Sequence, residues 1–293
     1  MLSPGPGPGG VTHCGVWGSP IDHSLSPVLH RAAYAALGLD DWVYERREVA
    51  AAGFAAALRG LDASWRGLSL TMPLKEVALG EAVSVSTTAR ETGAVNTLVR
   101  HPDGWRGHNT DVHGIVQALR EAGCRDTSSA LVIGSGATAR SAVAALARSG
   151  TRAVTFMVRG RARPETVAQA RASGLHVEVA RMGDWAFGDV VDVVDVVVST
   201  VPPSAVPALD SFPMAHDRAA RRRTVLDVVY GQGETPLQAA ARARGWTIAR
   251  GVDMLLHQAT EQVELMTGRP APLPAMRDAL ERALAERAGG RAG

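Results

Sequence analysis

The stretch Leu131-Val132-Ile133-Gly134-Ser135-Gly136-Ala137-Thr138-Ala139 decides the fold of this chain. A short apolar run ends in G-x-G-x-x-A, and a helical pattern follows from Ala137 to Arg148. Strand, glycine turn and helix in that order make the phosphate-binding corner of a Rossmann-type unit. Gly134 permits the tight turn, Gly136 lets the main chain approach a pyrophosphate, and Ala139 allows the helix to pack closely on the strand. The helix N-terminus offers free N–H groups and a positive dipole end to the phosphates. Small residues also close ordinary helix–sheet contacts. The next strand, Val154 to Val158, supplies the setting that favours dinucleotide binding.

That next strand also bears on which dinucleotide. An NAD site places an acidic residue about 20 positions on, at the ribose 2′-hydroxyl. Here Val158 runs into Arg159-Gly160-Arg161-Ala162-Arg163, which holds no acid. A carboxylate would repel a 2′-phosphate, whereas guanidinium groups grip one bidentately. Arginine is abundant throughout the chain, so the missing acid is the stronger half of the argument. NADP is the expected cofactor, with the segment Arg159 to Arg163 at its 2′-phosphate.

Working outward, short apolar runs alternate with helical spacing. Strands are expected at Val11–Trp17, Trp42–Val49 and Arg66–Leu70, and helices at Pro27–Leu37 and Ala50–Leu61. Asn96 to Arg106 reads as a hairpin turning at His101-Pro102-Asp103-Gly104. After a helix at Val112–Ala122, the strand at Ala130–Ile133 opens a second α/β series. Its further strands are expected at Val177–Ala180, Val193–Ser199 and Thr224–Val229, with a helix at Pro164–Ser173. Asp253–Thr267 and Pro274–Arg287 are helical. The expected fold is α/β in two domains.

Composition narrows the chemistry. Of 31 basic residues only Lys75 is a lysine, and Asn96 and Asn109 are the only asparagines. Arginine keeps its proton at any working pH, while a desolvated lysine can give one up and take it back. Lys75 is therefore a candidate for proton chemistry, unless it merely survives on a solvated helix face. The formal charge of +2 gives no reason to expect a nucleic-acid partner. Cys14 and Cys124 lack metal-ligand spacing, and no metal is expected. No apolar run is long enough to span a bilayer. The Pro/Gly-rich residues Met1 to Gly10 read as a disordered tail, and Arg221-Arg222-Arg223 most simply as a solvated loop. The expectation is a soluble, cytoplasmic protein, a monomer or homodimer, acting on a small molecule.

Four polar clusters lie near strand ends in the first half: Ser24-Leu25-Ser26-Pro27, Thr71-Met72-Pro73-Leu74-Lys75-Glu76, Gly93-Ala94-Val95-Asn96-Thr97 and Asn109-Thr110-Asp111. Open α/β sheets bind ligands at the carboxyl ends of their strands. Hydroxyls and amides gathered there suit a small, oxygen-rich substrate. Each cluster also has a plain reading, since the serines could cap the helix at Pro27 and Asp111 the helix after it.

These motifs resemble the shikimate dehydrogenase family. Gly18-Ser19-Pro20, His23 to Pro27, Thr71 to Glu76, Gly93 to Leu98, Asn109 to Asp111, Gly134 to Ala137 and a late Met254-Leu255-Leu256-His257-Gln258-Ala259 after Gly251 follow that family's order over about residues 11 to 275. Trp42 to Glu45 and Leu70 to Pro73 are most similar to actinobacterial members. The resemblance implies reversible NADP-linked reduction of 3-dehydroshikimate to shikimate, on the route to chorismate and the aromatic amino acids. It implies Ser24 and Ser26 at the substrate carboxylate, with Thr71, Asn96, Asp111 and Gln258 at ring hydroxyls and Tyr230 nearby. Lys75 and Asp111 would be the catalytic pair. Gly134 to Thr138, Val158 to Arg163, Thr200, Val228, Gly251 and Met254 would line the cofactor. It further implies a substrate domain over 11–109, completed by C-terminal helices in 251–293, and an NADP domain over 110–250. This chain departs from the pattern at Ser69, where many members have Asn, and at Val158 and Gly160 in the adenosine-side motif. Two rivals stand beside this reading: a quinate/shikimate dehydrogenase using NAD, and a non-catalytic NADP sensor.

Overall fold

A computed structural model describes residues 10–182, 194–206, 223–230 and 233–289. Most of the Pro/Gly-rich start, the first residue of the strand expected from Val193, and Arg221 and Arg222 lie outside the described residues. The chain divides into two compact units, Met1–Thr110 with Leu255–Gly293, and Asp111–Met254.

Unit 1 carries strands β1 (Thr12–Gly18), β2 (Trp42–Glu48), β3 (Trp65–Leu70), β4 (Ser84–Val85), β5 (Thr97–His101) and β6 (Gly104–His108). They form one sheet in the order β2-β1-β3-β5-β6-β4. β1 pairs parallel with β2 and β3, and β5 pairs antiparallel with β3 and β6. The β5–β6 hairpin turns at His101↔Gly104, where Gly104 takes φ +134°, a conformation that disfavours a side chain. Helix α1 (Ser26–Ala36) ends before Leu37 and Gly38, the latter in the left-handed region. The helix expected over Ala50–Leu61 is a 3₁₀ turn (Ala51–Gly53) followed by α2 (Phe54–Arg59). Helices α3 (Leu74–Glu81) and α4 (Thr87–Thr92) follow β3. One core cluster gathers Trp17, Phe54, Leu58, Leu68, Leu74 and Trp105. Burying each such side chain stabilises the fold by about 1.5–3 kcal/mol.

Unit 2 is built on β7 (Ser129–Ile133), β8 (Ala153–Val158), β9 (His176–Arg181), β10 (Val196–Ser199), β11 (Thr224–Asp227) and β12 (Thr247–Arg250). All pairings are parallel, in the order β12-β11-β10-β7-β8-β9. Counted from β7, this is the doubly wound order of a Rossmann sheet, with its reversal between β7 and β10. Strands β10 and β11 are buried at every position, in keeping with the apolar run Val196-Val197-Val198 of β10. Helices α5 (Asp111–Glu121), α6 (Ala137–Arg148), α7 (Pro164–Ala172) and α8 (Pro236–Ala243) belong to this unit. α6 is rich in alanine and buried along most of its length, so it lies close over Val132, Val154 and Val198. Arg223 is buried and stacks over Trp246 at 5.4 Å, which corrects the reading of that arginine as solvated.

The C-terminal helices are α9 (Gly251–Thr267), within which the division between the units falls, and α10 (Leu273–Gly289). Among the described residues no helix is long and apolar enough to cross a membrane.

Candidate functional site

In unit 1 three chain segments are stitched together at the carboxyl ends of β1 and β3. The Thr71 N–H donates to Trp17 O at 3.0 Å, and the Ser19 N–H to Met72 O at 2.9 Å. Gly18 makes this possible, because a Cβ there would collide with Thr71 and sit 2.9 Å from Met72 O. Val95 N–H then donates to Lys75 O at 2.7 Å, and Leu70 N–H to Asn96 O at 2.7 Å. Lys75 thus stands in the first turn of α3, half-buried, with its own main chain tied to the neighbour of Asn96. The sequence analysis gave no helix over Leu74–Glu81. Thr71 is half-buried at the same corner.

Ser24, in the connection from β1 to α1, and Ser26, the first residue of α1, are buried, at 3% and 5% exposure. The Ser26 N–H donates to Ser24 Oγ at 3.3 Å. This local bond is not a helix cap: the N-cap position of α1 is Leu25, without a side-chain cap bond, which corrects the reading of the serines as caps. The bond occupies Ser24 as an acceptor and leaves its hydroxyl proton to another partner.

The amides are brought together by β5, the end of β6 and α9. Asn96 Nδ2 donates to Thr110 Oγ1 at 2.9 Å and faces Gln258 Oε1 at 3.4 Å, while Asn96 Oδ1 accepts the Thr110 N–H at 2.8 Å. Gln258 Nε2 donates to Leu255 O at 2.9 Å. Asn109 takes a different role from Asn96: its Nδ2 donates to Thr92 Oγ1 and Ala94 O, so it buttresses the loop before β5. Below this layer His30 is wholly buried, bonded to Gln262 and stacked on Tyr44 at 4.0 Å.

Burial pushes the His30 imidazole down from 6.5 to about 3, with its bond to Gln262 opposing the shift. Its pKa is lower in the folded chain, so on acidification the unfolded chain takes up the proton first. The stability this supplies is complete above about pH 6.5 and is lost as pH falls from there toward 3, by up to about 1.4 kcal/mol per pH unit. Urea-unfolding midpoints should therefore fall between pH 7 and pH 4, and fall less in His30→Asn. Equal slopes in parent and variant would exclude His30 as the source.

In unit 2 the glycine turn sits where the strand order reverses. Gly134 takes φ +104°, and a Cβ there would lie 2.6 Å from Thr200 Oγ1. The Thr200 hydroxyl donates to Ile133 O at 2.8 Å, so Thr200 closes the strand end rather than pointing freely outward. Gly136 precedes α6 in extended conformation with no side-chain cap, and a Cβ there would meet nothing within 4 Å. Ala137 and Thr138 form the first turn of α6, whose N–H groups lack intrahelical partners. This open, uncapped helix end fits a pyrophosphate.

Beside it lies a cleft of about 330 Å³, lined among the described residues by Gly134, Ser135, Val158, Arg159, Gly160, Arg161, Met182, Val201, Pro202 and Ala205. Arg161 lines it next to Arg159, while Arg163 is outside the lining. Arg163 heads α7, and its N–H donates to Ser135 Oγ at 3.2 Å; Thr166 Oγ1 donates to Ser135 O at 2.7 Å. These two bonds hold the arginine segment against the glycine loop. The set of small loop residues and two cleft-lining guanidinium groups fits a phosphorylated dinucleotide.

Asp111 opens α5 and is 4% exposed, and Tyr230 follows β11, partly exposed. Val228 N–H donates to Ser199 O at 3.1 Å. Gly251 is required for packing, since a Cβ there would lie 2.5 Å from Asp227 O and 2.8 Å from Val229 O. Met254 is buried in the core under β7 and α6. Sequence reasoning placed Thr97 in a polar cluster without giving it a role, and missed Gln262 and Tyr44 at the site. Of the two missed residues only Gln262 had a local signal, four positions beyond Gln258 and so on the same helix face. No group of three or more His, Cys, Asp or Glu side chains among the described residues is placed to hold a metal ion.

A doubly wound parallel sheet with a glycine turn at its reversal point defines unit 2 as a Rossmann-type dinucleotide-binding fold. Residues 16–98 match the model of the shikimate dehydrogenase substrate binding domain, and residues 251–281 that of the shikimate 5′-dehydrogenase C-terminal domain. Shikimate dehydrogenase (NADP(+)) of Moorella thermoacetica is 37% identical over 277 residues, 93% of this chain and 94% of that one. The crystal structure of Mycobacterium tuberculosis shikimate dehydrogenase has a TM-score of 0.81 at 40% identity, covering 92% of this chain and 99% of the other. A Thermus thermophilus shikimate 5-dehydrogenase, solved with NADP(H) and shikimate, has a TM-score of 0.77 at 29% identity over 93% and 100%. The chain belongs to the shikimate dehydrogenase family.

Proposed function

We propose that this chain is an NADP-dependent shikimate dehydrogenase, interconverting 3-dehydroshikimate and shikimate on the route to chorismate and the aromatic amino acids. The observation that carries the reading is Lys75. The chain's one lysine is half-buried on α3, beside the strand that presents Asn96, in a chain related over nine-tenths of its length to enzymes of that name.

Residues 11–109 with the helices of 251–293 form the substrate domain, and 110–250 the NADP domain. Gly134 to Thr138 hold the pyrophosphate, with Val158, Arg159 and Arg163 on the adenosine side and Thr200, Val228, Gly251 and Met254 completing the lining. When bound, the reduced dinucleotide supplies the hydride. Ser24 and Ser26 hold the substrate carboxylate, and Thr71, Asn96, Asp111 and Gln258 the ring hydroxyls, with Tyr230 nearby. As the ketone is reduced, negative charge grows on its oxygen. The Lys75 ammonium stabilises that charge and delivers the proton that makes it a hydroxyl. In the reverse direction the amine takes the proton back. Asp111 is the second member of the catalytic pair. The protein acts in the cytoplasm as a monomer or homodimer.

Initial rates with shikimate and quinate, each offered NADP and NAD, test this reading. Turnover confined to shikimate with NADP is expected. Comparable quinate turnover with NAD would replace it by the broader dehydrogenase, and silence in all four by the sensor. The carboxylate contact has its own test. Ser24→Ala with Ser26→Ala should raise the shikimate KM about tenfold or more, and that of an analogue lacking the carboxylate far less. Equal losses on the two compounds would remove the assignment.

A further inference from the structure

The polar groups buried beneath Asn96 donate in one direction. Gln262, 1% exposed and one turn beyond Gln258 on α9, stands at their centre. Its Nε2 donates to Thr97 Oγ1 at 2.9 Å and to the Asn96 main-chain O at 3.3 Å. A main-chain carbonyl only accepts, so the amide end facing it is the nitrogen. The other end, Oε1, then accepts the Ser69 hydroxyl at 2.7 Å and the His30 Nε2–H at 3.2 Å. Ser69, having donated its proton, accepts from Tyr44 Oη at 2.6 Å. On the other side Thr97 Oγ1 receives the Gln262 N–H, and its own proton goes to Asn96 Oδ1 at 2.9 Å. The Thr110 N–H is the second donor to that oxygen. With its oxygen occupied from two sides, Asn96 turns its N–H groups to Thr110 Oγ1 and toward Gln258.

We infer that Gln262 is a positioning residue for substrate: from behind the pocket it holds Asn96 as a hydrogen-bond donor and keeps Gln258 in register with β5. One helix face does both, since Gln258 and Gln262 are four residues apart on α9. Tyr44 and Ser69 hold the far end of the Gln262 amide. This explains how Ser69 serves without the length of an asparagine: it acts on Gln262 rather than on substrate. Removing the Gln262 amide leaves Ser69 without an acceptor and Thr97 and Asn96 O short of a donor. Buried groups left so reorganise, and the pocket loosens. The inference rests on the proposed roles of Asn96 and Gln258 at substrate hydroxyls.

The test is steady-state kinetics on the full chain with Gln262→Leu, Thr97→Val and the double variant. Each single change should raise the shikimate KM by about tenfold, with kcat within about threefold and the NADP KM unmoved. A purely structural role would instead lower kcat through a smaller active fraction and leave the shikimate KM alone. The double variant should be no worse than the worse single, because both changes break one chain of bonds. Thr97→Val preserves shape and decides the matter if Gln262→Leu does not fold. A shikimate KM within about twofold of the parent, or fully additive effects, would overturn the inference. Failure of the parent itself to turn over shikimate would instead sink the functional reading.

Discussion

Lys75→Ala should reduce turnover of shikimate by about a thousandfold or more while leaving its affinity within a few-fold. The variant loses both the cation that stabilises the developing alkoxide and the proton it receives, and these act only as the reaction proceeds. Ground-state contacts to carboxylate and hydroxyls come from other side chains and survive. Lys75→Arg separates the two roles, since guanidinium keeps its charge but does not give up its proton. It should recover little activity. The measurement pairs kcat with calorimetric shikimate binding. Parent-like turnover by Lys75→Ala would remove the lysine from the chemistry, and lost binding would make it a substrate anchor instead.

Arg159→Ala with Arg161→Ala should weaken NADP binding by about a hundredfold and NAD binding hardly at all. Each guanidinium–phosphate bond contributes about 1.5–3 kcal/mol, and only NADP carries the 2′-phosphate that receives them. Dissociation constants for 2′,5′-ADP and 5′-AMP give the same contrast without any catalysis. Equal weakening of both nucleotides would end the 2′-phosphate assignment. Arg159→Ala with Arg163→Ala is the companion measurement. Arg161 is the arginine that lines the cleft with Arg159, whereas Arg163 heads α7 with its N–H on Ser135 Oγ. The first pair should therefore cost NADP more than the second.

Much of the fold was legible because its signals are local. The glycine turn, the helix Ala137–Arg148 and the alternation of strand and helix depend on neighbours within a few positions, and these elements stand where the pattern put them. The failures have local causes too. Thr71-Met72-Pro73 reads as loop, and a helix of eight residues after it is too short to announce itself, so α3 was missed. Gly53 breaks the run from Ala50 to Leu61 that apolar spacing joined into one helix. β12 is as short as β10 but partly exposed, and it lacks the apolar run that marks β10. Arg223 followed two other arginines and read as solvated, whereas the ring of Trp246, distant in sequence, covers it.

The amino-acid sequence by itself determined the Rossmann turn, the absence of an acid after β8, and the singular lysine and asparagines, because each is a matter of residue type at close spacing. Only the tertiary structure decided which buried groups donate and which accept. Gln262 reaches His30 across 232 positions and Ser69 across 193. No spacing rule anticipates such pairs. The polarity of a hydrogen-bond chain is set where an obligate acceptor, here the Asn96 carbonyl, meets an amide that could otherwise face either way.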